Sequence, residues 1–237
     1  MSVDWARQRV LILAPHPDDE VLGCGGLMSR VKDAGGEVYV HFLTVGDTAD
    51  ISPAGLSTAE QRLHEVKQVA DLYRWDGWGI SFPGDEYHLR LDTLPRFELA
   101  GAIERDDRLG IAALRPTVVL LPHRSSYNQD HQAVNDAAVT ALRPADRALR
   151  HHPDLVLAYE EAADQWRAEA TPPPNLFAEL SETHLAMKLT AMALYGSQAH
   201  EHPHTRSELT LRSLAALRGM QNGTAYAEAF HLLRCHA

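Results

Sequence analysis

Short runs of β-branched and aliphatic residues alternate with longer stretches of helical periodicity along this chain, and that alternation limits the folds open to it. Residues 10–14, 37–45, 78–82, 117–121 and 155–159 read as strands. Val10-Leu-Ile-Leu-Ala14 and Thr117-Val-Val-Leu-Leu121 are apolar throughout, as strands buried on both faces must be. Helical spacing marks residues 21–34, closed by Gly35-Gly36, and residues 57–73, where Leu63, Val66, Val69, Ala70 and Tyr73 share one face. It also marks residues 94–114, stopped by Arg115-Pro116, and residues 130–142. Residues 171–175 read Thr-Pro-Pro-Pro-Asn, a loop, since three prolines cannot bond a helix or sheet interior. Helices at 182–195 and 205–217 follow. The expected architecture is α/β and Rossmann-like, a mostly parallel sheet with helices on both faces. Without an internal repeat or a long linker, a single domain over 1–237 is expected, less regular from about 160 onward.

Composition narrows the function. The chain has 22 Lys+Arg against 32 Asp+Glu, a net charge of −10, and no basic run that could follow a phosphate backbone, so no nucleic-acid partner is expected. Its apolar runs fall far short of the ~18–20 residues that cross a bilayer, so no membrane span is expected. The first residues lack the basic start and long apolar core of a secretory signal, which makes the cytoplasm the expected location. With only Cys24 and Cys235, neither a disulfide framework nor a sulfur-bound metal is expected. Histidine is the unusual count, at 14, and histidine suits both metal binding and proton transfer.

Two polar clusters fall just after predicted strands, where open α/β sheets bind ligands. One is His16-Pro-Asp-Asp-Glu20; the other is His123-Arg-Ser-Ser-Tyr-Asn-Gln-Asp-His131. A catalytic zinc commonly takes two histidines and one carboxylate and leaves a position open, a set that His16, Asp19 and His131 supply. The adjacent Asp18 is placed to act as general base. Asp and Glu also cap helices after strands, so either cluster alone reads as structural. Their combination is what points to chemistry. Gly23, Gly25 and Gly26 do not make a dinucleotide fingerprint, because carboxylates occupy the turn that would have to cradle a pyrophosphate.

Ala14-Pro-His-Pro-Asp-Asp-Glu20, followed by Val-Leu-Gly-Cys-Gly-Gly26, resembles the signature of the zinc-dependent de-N-acetylases of the PIG-L/LmbE type. The likeness continues through Thr44-Val-Gly-Asp47, Arg62-Leu-His-Glu65, Leu120-Leu-Pro122 and Asn128-Gln-Asp-His131, and on to Lys188, Ser197-Gln198 and Ala227-Glu-Ala-Phe230. It implies hydrolysis of the acetamide of an N-acetylated amino sugar, releasing acetate and a free amine. It further implies that His16, Asp19 and His131 bind Zn2+, or another divalent ion such as Fe2+, Co2+ or Mn2+, and that Asp18 activates water. Many relatives carry an oxyanion-stabilising histidine three residues before the last metal ligand, oriented by an aspartate. This chain has Asn128 there and keeps Asp130, so Asn128 is assigned the oxyanion or a substrate contact and Asp18 is expected to protonate the leaving amine. His123 is an alternative source of the missing imidazole. Arg62 matches a sugar-contacting position, with an ion pair to Glu65 as the structural alternative. Asp85 is a candidate for sugar hydroxyls, or simply a turn residue.

His200-Glu-His-Pro-His204 reads as a solvated loop. Two other functions stay open at this point. One is an amidase acting on another amide, such as a thiol conjugate. The other is a non-catalytic metal- or nucleotide-binding Rossmann-like module. The sequence leaves a homo-oligomer open.

Overall fold

Strand β1 (Arg9–Ala14) sends Val10, Ile12 and Ala14 into one apolar layer and Leu11 and Leu13 into another, which is why it can carry no polar position after Arg9. The computed structural model describes residues 3–49, 55–166 and 172–236. After β1 come α1 (Asp19–Ala34), β2 (Glu37–Val45), the short β3 (Thr48–Ala49) and β4 (Leu56–Ser57), α2 (Ala59–Tyr73) and β5 (Gly77–Pro83). Next are α3 (Arg96–Arg105), α4 (Ile111–Leu114), β6 (Val118–Pro122), α5 (Gln129–Ala141) and β7 (Leu155–Tyr159). The chain continues through β8 (Leu176–Leu180), α6 (Glu182–Leu194), α7 (Glu208–Asn222) and β9 (Tyr226–Cys235).

The main sheet runs β5-β2-β1-β6-β7-β9-β8. Its first five strands are parallel, with Val10 opposite both Val38 and Val118. The last two pair antiparallel, β9 against both β7 and β8. One face of the sheet packs Val38, Val40, Phe42 and Leu120 against α1, α2 and α6; the other packs Leu43, Val119 and Leu121 against α3 and α5. The sheet is therefore mostly parallel and covered on both faces, an α/β fold.

Two differences from the sequence reading have local causes. The helix expected over 94–114 is broken after Arg105, because the Asp106 carboxylate accepts the N–H groups of Arg108 (2.9 Å) and Leu109 (2.7 Å) and turns the chain. β8 and β9 were not anticipated. Their Ala and Glu positions dilute the aliphatic signal that marks the parallel strands. Of the loop expected at 171–175, residues 172–175 lie in no helix or strand, and residue 171 lies outside the described residues.

The glycines of α1 are packing residues. A Cβ on Gly23 would stand 2.3 Å from the Tyr159 ring, and one on Gly26 would stand 2.4 Å from Leu180. They let the helix lie close on β7 and β8. A buried ion pair anchors the same helix: Lys188 Nζ lies 2.6 Å from Glu228 Oε1, and the Glu228 carboxylate accepts the N–H groups of Gly26 and Leu27.

Candidate active site

β1 and β6 are adjacent, but the connection after β1 leads to β2 on one side and that after β6 leads to β7 on the other. This is the topological switch point of the sheet, where a crevice opens at the strands' carboxyl ends. Both polar clusters fall there.

The first cluster is shaped by an unusual turn. Asp18 adopts φ 101° and ψ −29°, in the left-handed region that L-residues rarely occupy. Glu20 braces it: its Oε2 accepts the Asp18 N–H at 3.0 Å, and its Oε1 accepts the Tyr195 hydroxyl at 2.6 Å. Burial pushes the Glu20 pKa up to about 8. Asp19, opening α1, turns its Oδ2 back to accept the His16 N–H at 2.8 Å. The second cluster is set by the start of α5, where Asn128 Oδ1 caps the helix by accepting the Asp130 N–H at 2.9 Å. His131 then faces Asp19.

His16, Asp19 and His131 present three ligand atoms within 4.8 Å of one another, and all three residues are buried. The Asp19 Oδ2 lies 3.3 Å from His16 Nδ1 and 3.2 Å from His131 Nε2. Burial opposes ionisation of Asp19, but the facing His131 and His16 rings hold its pKa well below the usual carboxylate range. Behind His16, Asp130 Oδ2 lies 2.9 Å from Nε2, which leaves Nδ1 directed at Asp19. A carboxylate behind a ligating imidazole is the usual support of a metal site, and the donor set fits a divalent cation.

Asp18 lies beside this triad, fully buried, with its Oδ2 making no hydrogen bond. Burial raises its pKa, against the opposing pull of Arg206 and Arg62. Arg62 is buried too: it donates to the Pro17 carbonyl oxygen and sits 3.7 Å from Asp18 Oδ1. Glu65 is not its partner, accepting instead from the Ser197 N–H (2.8 Å) and hydroxyl (2.7 Å).

Three other assigned residues fall differently from the reading of the sequence. Asp130 is sealed from the cleft behind His16, its second oxygen accepting the Leu91 N–H at 2.8 Å, so it acts through His16 and does not touch a ligand. His123 does not line the cleft. Its Nδ1 pairs with Ser125 Oγ at 2.6 Å and its ring lies tilted against that of His231, the centroids 4.0 Å apart, so it does not supply the missing imidazole. Asp85 also lies outside the cleft and accepts the Asp47 N–H at 2.7 Å, the turn role. Asn128 does line the cleft, with its amide oxygen spent on the helix cap.

The cleft also holds residues that sequence reasoning passed over. His88 has its Nε2 2.8 Å from Thr48 Oγ1, and burial lowers its pKa to about 4. Glu161 stands two residues past β7, the position that could have flagged it; its Oε1 lies 3.8 Å from His131 Nδ1, and neither atom has a hydrogen-bond partner. Arg206 enters from the loop before α7, and His204 of the histidine-rich segment lines the same cleft. Tyr127 and Trp166 form an exposed aromatic pair by the mouth, ring centroids 6.1 Å apart. No helix among the described residues is long and apolar enough to cross a membrane.

Residues 11–142 match the family model PIG-L, described as GlcNAc-PI de-N-acetylase. A diacetylchitobiose deacetylase of Thermococcus kodakarensis is 27% identical over 232 residues, covering 95% of this chain and 83% of its own. A 1D-myo-inositol 2-acetamido-2-deoxy-alpha-D-glucopyranoside deacetylase of Rhodococcus opacus is 28% identical over 159 residues, covering 65% of this chain and 47% of its own. Among solved structures, a conserved protein of Thermus thermophilus superposes with a TM-score of 0.73 at 26% identity, covering 97% of this chain and 96% of that one.

Proposed function

This chain belongs to the PIG-L family of de-N-acetylases, and on that premise we propose that His16, Asp19 and His131 hold a divalent cation, zinc by donor chemistry, while Asp18 activates water against the acetamide of an N-acetylated amino sugar. The chain is an amino-sugar deacetylase, a hydrolase that releases acetate and a free amine. One observation carries the site: three convergent ligand atoms within 4.8 Å, with the unbonded Asp18 Oδ2 facing the same cleft. When bound, the cation supplies Lewis acidity, polarising the acetamide carbonyl and making water easier to deprotonate.

The protein's own groups do the rest. Asp18 Oδ2, buried and unbonded, takes a proton from the attacking water. As the water oxygen bonds to the carbonyl carbon, the C=O pair moves onto oxygen and a tetrahedral oxyanion forms. The pair then returns, the C–N bond breaks, and the protonated Asp18 gives its proton to the departing nitrogen. Arg62 secures the Asp18 turn through the Pro17 carbonyl, and Asp130 keeps His16 in one tautomer. The exposed rings of Tyr127 and Trp166 and the polar cleft walls suit a sugar ring, apolar on its faces and hydroxylated at its edge.

The test is acetate release by the zinc-loaded chain from N-acetylglucosaminides with varied aglycones, beside a thiol-conjugate amide. Turnover of the glucosaminides that disappears on chelation and returns with the metal is expected. Turnover of the thiol conjugate alone overturns the amino-sugar reading.

A further inference from the structure

Arg206 stands over the reacting end of the cleft. Its Nε lies 3.3 Å from Asp18 Oδ2, yet that oxygen makes no hydrogen bond, so the two meet as charges without spending the guanidinium's N–H on the carboxylate. Nη1 donates to Gln198 Oε1 at 2.8 Å and fixes the fork. Nη2 makes no hydrogen bond among the described residues, and the side chain, 31% exposed, lines the cleft. A guanidinium is always charged and has five N–H donors in a plane, so it retains donors for an anion arriving beside Asp18.

The other candidates for that task are spent or uncharged. Asn128, whose Oδ1 caps α5, can offer only the N–H of a neutral amide. His88 engages its Nε2 with Thr48 Oγ1 at 2.8 Å. Arg62 is buried and donates to the Pro17 carbonyl. We propose that Arg206 is a catalytic residue that donates to the tetrahedral oxyanion, the work that the family resemblance gives to a histidine where this chain has Asn128. The inference rests on the deacetylase reading above. Negative charge moves onto the former carbonyl oxygen as water adds and leaves again when the C–N bond breaks. A fixed cationic donor therefore binds the transition state more strongly than the neutral acetamide.

The experiment compares the zinc-loaded wild type with Arg206→Met, Arg206→Lys and Arg206→Ala. It reads kcat and KM for an N-acetylglucosaminide across pH, and the calorimetric affinity for a methylphosphonamidate analogue that mimics the tetrahedral anion. Loss of one oxyanion donor is worth roughly 10²–10³ in kcat. A fall of that order in Arg206→Met is expected at every pH, with KM nearly unchanged. The analogue should bind more weakly in parallel, Arg206→Lys should be intermediate, and added guanidinium should partly restore Arg206→Ala. Unchanged kcat in Arg206→Met overturns the proposal. So does a loss confined to low pH with the plateau intact, because Arg206 would then only hold Asp18 ionised. A wild type that releases no acetate from any N-acetylglucosaminide overturns the deacetylase reading itself, a separate failure.

Discussion

His16 Nε2 and Asp130 Oδ2 stand 2.9 Å apart, both residues buried, and this contact leaves Nδ1 as the ring nitrogen turned toward the proposed cation site. With Nε2 held by the carboxylate, Nδ1 is the nitrogen turned to Asp19. Asp130 is itself fixed by the Leu91 N–H, so the ring is held from one strand end to the next helix start.

Removing that support loosens the metal without removing a ligand. Asp130→Asn should lower zinc affinity about 10–100-fold, the usual effect of losing a carboxylate behind a ligating histidine. Competition with a chromogenic chelator measures it, and wild-type affinity in the variant would remove Asp130 from the site's support.

The Lys188–Glu228 pair predicts a stability effect remote from the cleft. Both side chains are 5% exposed, and Lys188 Nζ also donates to the Leu22 carbonyl oxygen at 2.7 Å. Lys188→Met leaves the Glu228 charge buried and unpaired, which typically costs roughly 3–5 kcal/mol. Urea unfolding should show that loss, with much of it recovered when Glu228→Gln is added. An equal loss in the double variant would mean that shape and not charge is responsible.

Acid sensitivity should come in part from His41. It lies on β2, buried, with Nε2 2.6 Å from Ser81 Oγ and Nδ1 unbonded. Burial lowers its pKa from 6.5 to about 4, against a small opposing effect of Asp106. Between those values the unfolded chain holds a proton that the folded chain does not. Stability therefore rises with pH across that window and is lost as pH falls from 6.5 toward 4, by a total on the order of 3 kcal/mol. His41→Gln should flatten the wild-type slope of unfolding free energy against pH there. Identical slopes in the two proteins would exclude the residue as a source.

The parts of the molecule legible in the sequence share a physical property. β1 after Arg9 and all of β6 are apolar because both faces are covered, and the Asp18-Asp19 turn follows one of them. The two histidines and Asp19 could be grouped because each lies in the segment that leaves such a strand or at the start of the helix that follows it. β8 and β9 were hidden because the edge strand β8 carries an exposed Glu179, β9 carries Glu228 buried in its ion pair with Lys188, and the far end of β9 leaves Leu232 and Leu233 exposed. Arg206 and His88 could not be placed, since only tertiary structure carries their loops over the switch point. His123 was misplaced for the opposite reason: proximity to His131 in sequence did not survive the turn, which sets its ring against that of His231.

The most direct test separates binding from chemistry at adjacent residues. Zinc content by elemental analysis and acetate release from an N-acetylglucosaminide should be measured together on Asp18→Asn and His131→Ala. Asp18→Asn is predicted to keep stoichiometric zinc and lose most turnover, and His131→Ala to lose both. An Asp18→Asn protein that retains wild-type deacetylation would contradict the account, because no carboxylate at position 18 would then be needed to move the proton.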